Sequence, residues 1–423
     1  MNYFEKLIYD TVKNNPAIKR FARNSYQSFF DIFPKPKNEI YFPFVVYKRQ
    51  FFGFHDPNPF NSNDTLVLSC GASSFLSMPG LGEELPLYVN DLSHADNVNQ
   101  LGVTKAWNWH MGCKLQWYGD DQVIFNDLDT LGRPVGRRIS LDSGEIVNYP
   151  FHLSSVSKGR ALGVGYSFAR VERAMPGYGY AHQRVEESDR ELCPSDSGLA
   201  VWDLSTGGIY DFLSIRRLAF LERKDSMASS FHIATHAVFS PDGENIAFIH
   251  RWVKSSNIEQ RKSRLIIYNV ARRELFLADT AEMVSHFCWL DNSTLVAFCS
   301  LPNKVDAFAV FNIIGTQVNI IDKAILSVDG HPSPNPTGTA FVVDSYPNRR
   351  RIQELYIYDN IRQDKIIVGK FYHPKKFQSP NIFQHWCIDL HPRWSRTGRY
   401  ISIDCCFEGE RSHLILDLIS SSR

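Results

Sequence analysis

Four segments of this chain are variants of one pattern, and that repetition constrains the fold more than any single residue. They are "THAVFSPDGENIAFIHRW" from Thr235, "SHFCWLDNSTLVAFCS" from Ser285, "GHPSPNPTGTAFVVDSYP" from Gly330 and "LHPRWSRTGRYISIDCC" from Leu390. Each carries a histidine (His236, His286, His331, His391), a Ser, Leu or Asn four residues later, a polar turn and a β-rich run. Weaker copies begin near His55, Lys114 and His152. A second signature has the same period: strand-like runs end at Asp91, Asp142, Asp203, Asn269, Asn312, Asp359 and Asp417. Apolar–polar alternation marks these runs as strands, and no strong long helical pattern intervenes. Four-stranded units of this length, stacked radially, make a β-propeller. The expected fold is therefore all-β: a seven-bladed β-propeller over residues 39–423, preceded by a short N-terminal helical segment over residues 1–38. The last unit stops one strand short. The strand-like run Glu39–Gln50 is expected to supply that strand and close the ring, removing the free edges of an open sheet.

Composition narrows the function classes. The formal net charge is +1, so no global field calls for nucleic acid as a partner. Aromatics reach 13%, which suits strands and blade-to-blade packing and also offers faces for sugar rings. The eight cysteines are mostly isolated and make no disulfide framework, so they read as reduced and the location as cytoplasmic. At the N-terminus Phe4, Leu7, Ile8 and Val12 fit one helical face, interrupted at Pro16. The next piece combines Lys19, Arg20 and Arg23 with Phe21 and Tyr26. A helix of that kind either packs on the main domain or makes peripheral contact with the anionic inner surface of a membrane.

The repeat gives the histidines a common address. In a propeller blade the innermost strand starts at one face near the central channel, and the second strand returns to that face. His236, His286, His331 and His391 are then expected to ring one channel mouth on blades four to seven. The residues after the second strands, including Arg251, Cys299, Asp344 and Cys405, would stand beside them. Imidazole and thiolate are zinc ligands, and His331, His391, Cys405 and Cys387 could supply four; the expected cofactor is a divalent metal, zinc or manganese. The third unit adds a long insertion, Gly165–Gly198, on the same face, with Tyr166, Arg170, Arg173, Tyr178, Tyr180 and His182. Long loops on a rigid scaffold tend to carry function, and Arg with Tyr suits a carboxylated sugar. Trp109 and His110 in "AWNWHMGCKLQW", together with His232, are expected near the same mouth.

The run of motifs "HDPNP", "GCKLQW", "PGYGY", "HAVFSPDG", "GHPS" and "DLHPRW", across residues 50–420, resembles the seven-bladed propeller polysaccharide lyases, which include the oligogalacturonate and ulvan lyases. The resemblance implies β-elimination on a uronic-acid-containing oligosaccharide or polysaccharide. By motif position it implies His55 and His110 as candidate bases, Tyr178 as acid and Arg251 as carboxylate clamp. His236 joins this catalytic group, while Trp109, Tyr166, Arg170, Arg173, Tyr180, His232 and His286 are the expected substrate-binding residues. Two other classes stay open. One is a cytoplasmic enzyme of capsule or O-antigen assembly, such as a glycosyltransferase, although no dinucleotide-binding βαβ unit is evident. The other is a non-catalytic binding platform, because propellers host many functions.

Overall fold

Alternating runs in the repeats become antiparallel strands, and these assemble into seven sheets of a β-propeller. The computed structural model describes residues 16–71, 76–94, 98–254 and 256–419. The helical face proposed for Phe4, Leu7, Ile8 and Val12 lies outside them. Blade one runs through Gln50–Phe51, Leu66–Gly71, Leu85–Asp91 and Val98–Thr104, and each later sheet follows in chain order. The run after residue 38 serves three blades in turn. Glu39–Ile40 adds a fifth, outermost strand to blade six; Phe44–Lys48 pairs with Glu410–Asp417 as the outer strand of blade seven; Gln50–Phe51 begins blade one. The ring is thus closed by a strand from the opposite end of the sequence. Apolar residues facing between blades form the core, for example Ile249, Leu265, Phe287 and Leu295 between blades four and five.

Among the described residues three α-helices depart from the strand pattern. Helix α1 (Pro16–Phe30) lies against the rim of blade six. Helix α2 (Phe168–Ala174) sits in the insertion of blade three and is capped by Ser167, whose hydroxyl accepts from the Arg170 amide. Helix α3 (Ile215–Phe220) is capped in the same way by Ser214.

Blade one holds a feature with no counterpart among the four strong repeats. After Phe51 the chain leaves the sheet and regains a strand partner only at Phe60, opposite Val67. The excursion pushes Phe54, His55 and Asp56 into the centre of the molecule. It is held by a buried ion pair of blade seven. The Phe52 and Gly53 amides each donate to the Asp404 carboxylate at 2.9 Å. Arg393 lies 3.0 Å from the same carboxylate and donates to the Gly53 and Phe54 carbonyls. Gly53 has φ +112°, and a Cβ there would stand 2.7 Å from the Gly112 amide nitrogen, so the crossing of blades one and two requires glycine.

Candidate functional site

The repeat histidines converge on Phe54. Its ring centroid lies 4.5 Å from His55, 4.7 Å from His236, 5.1 Å from His391, 6.0 Å from His331 and 6.2 Å from His286. Two devices aim them inward. His331 and His391 precede the short inner strands Ser333–Pro334 and Arg393–Trp394. His236 and His286 instead sit inside their strands, where the register breaks between Thr235 and Val238 and between Val284 and Phe287. Such bulges re-aim a side chain out of the ladder, and His236 adopts a positive φ (55°) to do so; His391, ahead of its strand, also has a positive φ (42°). Lys114 takes the corresponding place in blade two, buried and paired with Asp56.

Burial dominates the electrostatics of the ring. It pushes His55, His236 and His391 well below the ordinary imidazole range, helped by neighbouring cations and imidazoles, so all three are neutral near pH 7. His55 Nδ1 is 2.8 Å from the Pro332 carbonyl and must donate to it, which leaves Nε2 as the acceptor. His331 is the exception. Burial opposes its charge, but Asp344, 3.0 Å from Nδ1, more than compensates and raises it. His286 pairs with Asp329 at 3.1 Å, yet burial and the nearby His331 keep it lowered.

A second group adjoins the ring where the connection between blades six and seven meets the start of blade two. His110 stacks on Tyr178 at 4.7 Å and meets His385 at 4.1 Å between centroids. Its Nε2 faces His385 Nδ1 and lies 3.5 Å from Cys387 Sγ, and its Nδ1 is 3.5 Å from Asp389. Two triads, His110–His385–Cys387 and His110–Asp389–His391, each bring three possible ligand atoms within 4.8 Å of one another. The donors fit a divalent ion: imidazole with thiolate suits zinc, and imidazole with carboxylate suits zinc or manganese. His391 Nε2 is buried with no hydrogen-bond partner, as a nitrogen reserved for a ligand would be. Asp389, raised to about 6 chiefly by burial, can still ionise near neutrality.

Toward the opening stand Tyr178, Arg251 and Tyr346. Burial raises the Tyr178 phenol, with Asp389 and Cys387 adding to the shift, so it keeps its proton. Arg251, lowered by burial to about 10, remains charged. One terminal nitrogen donates to the Ser285 carbonyl at 3.1 Å, but its Nε is buried and unsatisfied. Tyr346, 5.7 Å from His331, keeps 43% of its surface exposed and marks the open side.

Several expected site residues serve other purposes. Trp109 is a wedge between blades, 2% exposed, donating its indole N–H to the Ser77 carbonyl and packing under Arg411; its faces are not open to a sugar. Tyr180 is stacked on Phe168 and hydrogen-bonded to Asn126, inside the core. Arg170 spends its guanidinium on the carbonyls of His232, Ser188 and Leu192, tying the insertion to blade four. Arg173 is exposed beside Phe231. Tyr166 accepts from the His236 amide and so supports that residue from below. His232 belongs to a separate buried chain in which Arg264 donates to His250, His250 pairs with His232, and His232 reaches the Met227 carbonyl. Cys405 is held in the apolar core of blades six and seven and is absent from both triads, because its strand turns it toward Leu390 and Leu414. His331 approaches His391 at 4.4 Å between centroids but belongs to neither triad.

His385, Asp389 and Phe54 were missed. The spacing His385, Cys387, Asp389, His391 carried a signal, since alternate residues of an extended chain share a side. Nothing in the sequence marks Phe54 as the hub of the ring.

No protein-family model matches the chain, and no curated protein matches its sequence. Solved structures match its fold. An oligogalacturonate lyase from Vibrio parahaemolyticus has a TM-score of 0.57 at 12% identity, over 92% of this chain and all of that one. The β-propeller domain of the Trilobed protease from Pyrococcus furiosus has a TM-score of 0.50 at 9% identity, over 88% of this chain and 95% of that one. An oligogalacturonate lyase in complex with manganese gives 0.44 at 12% identity, covering 92% and 99%. At these identities the likeness is one of fold.

Proposed function

We propose that the protein is a lyase that cleaves uronic-acid-containing oligosaccharides by β-elimination. The observation that carries this reading is Arg251. It presents a charged guanidinium with a buried, unsatisfied Nε close enough to the neutral His236 imidazole and the protonated Tyr178 phenol to influence both. A buried donor without a partner costs ~1–3 kcal/mol, so its retention points to a ligand acceptor. A uronate carboxylate is such an acceptor, and Arg grips it as a fork.

The steps assign themselves by protonation state. His236, held neutral by burial with Arg251 as the next largest influence, is competent to take the C5 proton. The C5–H electron pair becomes the C4–C5 double bond as the C4–O bond breaks. Tyr178, which holds its proton, donates it to the departing oxygen. Negative charge that gathers on the carboxylate during proton removal is met by Arg251. A divalent ion on His110, Asp389 and His391 would add Lewis-acid stabilisation of that carboxylate. In this scheme His110 is a ligand and His55 packs the channel, so neither is the base.

The test is to incubate the protein with a panel of uronate oligosaccharides and follow the ultraviolet band of the unsaturated product. Growth of the band that is lost in His236→Ala supports the reading. A flat trace across the panel, with the protein metal-loaded, removes it. The second reading, action on a lipid-linked glycan at a membrane, is favoured by the character of the rim next to the mouth.

A further inference from the structure

We infer that the α1 rim is a docking surface for an anionic membrane, and that it sets the channel mouth toward the lipid. The apolar part is exposed at the end of the helix and in the turn after it: Phe29 is 59% exposed, Ile32 78% and Phe33 47%. These three do not fold back on the propeller, because the segment is fastened on its other side. Asp31 takes a two-pronged bond from the buried Arg351, at 2.7 and 3.1 Å. Gln27 donates to the Asn348 carbonyl at 2.9 Å, and Asn24 accepts from Gln378 at 2.6 Å.

The charge around the patch has one sign. The one acidic residue between Asn24 and Lys37 in the sequence, Asp31, is already neutralised by Arg351. Arg349 and Arg350 stand over the rings of Phe30 and Phe33, at 5.2 and 5.8 Å. Lys35 and Lys37 are exposed just beyond. Large apolar side chains set in a basic surround match the acyl boundary and anionic headgroups of a bilayer. A protein partner would need matching acidic residues around an apolar pocket; a lipid surface supplies both chemistries without a specific shape.

Position gives the surface its consequence. The turn that receives α1, residues 345–351, follows the second strand of blade six, and Tyr346 in that turn lies 5.7 Å from His331. The patch and the mouth therefore share one end of the propeller, and docking brings membrane-attached glycan within reach. This does not depend on which reaction the site performs.

The experiment is co-sedimentation of the full chain with vesicles of phosphatidylcholine alone and of phosphatidylcholine mixed with phosphatidylglycerol. Binding is expected only to the mixed vesicles and is expected to weaken as salt rises. Arg349→Glu with Arg350→Glu should lower the partition at least ~25-fold, about fivefold per basic residue lost. Ile32→Glu, a change at an exposed position that leaves the fold intact, should abolish it. Equal binding to both vesicle types, or no binding to either, overturns the inference. So does a dimer in solution that Ile32→Glu dissolves, since a second copy would then be the occupant.

Discussion

Protonation states at single residues decide what the site can do. Arg251→Ala should cut kcat/KM on a uronate oligosaccharide by ~10²–10³ while the thermal midpoint stays within error, as for removal of a charge-stabilising donor. Arg251→Lys should recover little, because an ammonium cannot reproduce the planar fork. The metal reading separates two residues that look equivalent in sequence. His391→Ala should remove most bound divalent ion in elemental analysis of the purified protein. Cys405→Ala should leave metal content unchanged, since that thiol is packed among Ala340, Leu390 and Leu414.

The excursion from Phe52 to Pro59 is the element on which the site depends. It delivers Phe54 and His55 to the channel, and its backbone polar groups are satisfied by Arg393 and Asp404 rather than by a neighbouring strand. Asp404→Ala leaves two amides and a buried guanidinium without their acceptor. Loss of one partner of a buried pair costs ~3–5 kcal/mol, so urea unfolding should shift by that order. A smaller shift with full activity would mean that the excursion is held by packing alone.

At the scale of the whole molecule, the histidines make stability depend on pH. Nine of them, His55, His110, His152, His232, His236, His250, His286, His391 and His413, are held below their ordinary values, chiefly by burial. Each charges in the unfolded chain below pH ~6.5 but stays neutral in the fold, so the unfolded state binds more protons there. Their contribution is complete above ~6.5 and is lost as pH falls toward their folded values. His331, raised by Asp344, acts in the opposite sense: its contribution is present below ~6.5 and fades as pH rises through its folded value. Asp389, raised to about 6, also favours the fold more at low pH. Two such groups do not offset nine. The thermal midpoint should fall by on the order of 10 °C between pH ~7 and pH ~5. A flat profile would show that the channel histidines are solvated.

The sequence by itself determined the blade count and the convergence of four histidines, because a blade-length repeat brings the inner edge of each copy to the same central channel. It also placed Tyr178, His110, Arg251 and the repeat histidines at one end of the molecule. Only the tertiary structure decided which of the candidates gather around the channel and which are packed elsewhere. Trp109, Tyr180, Arg170 and Cys405 are residue types that suit a site and a core equally well, and packing against neighbouring blades and the insertion buried each of them away from the channel. His385 and Asp389 became candidates for the opposite reason. The irregular connection between blades six and seven folds them against His110, some 275 residues earlier in the chain, and no local pattern encodes a contact of that separation.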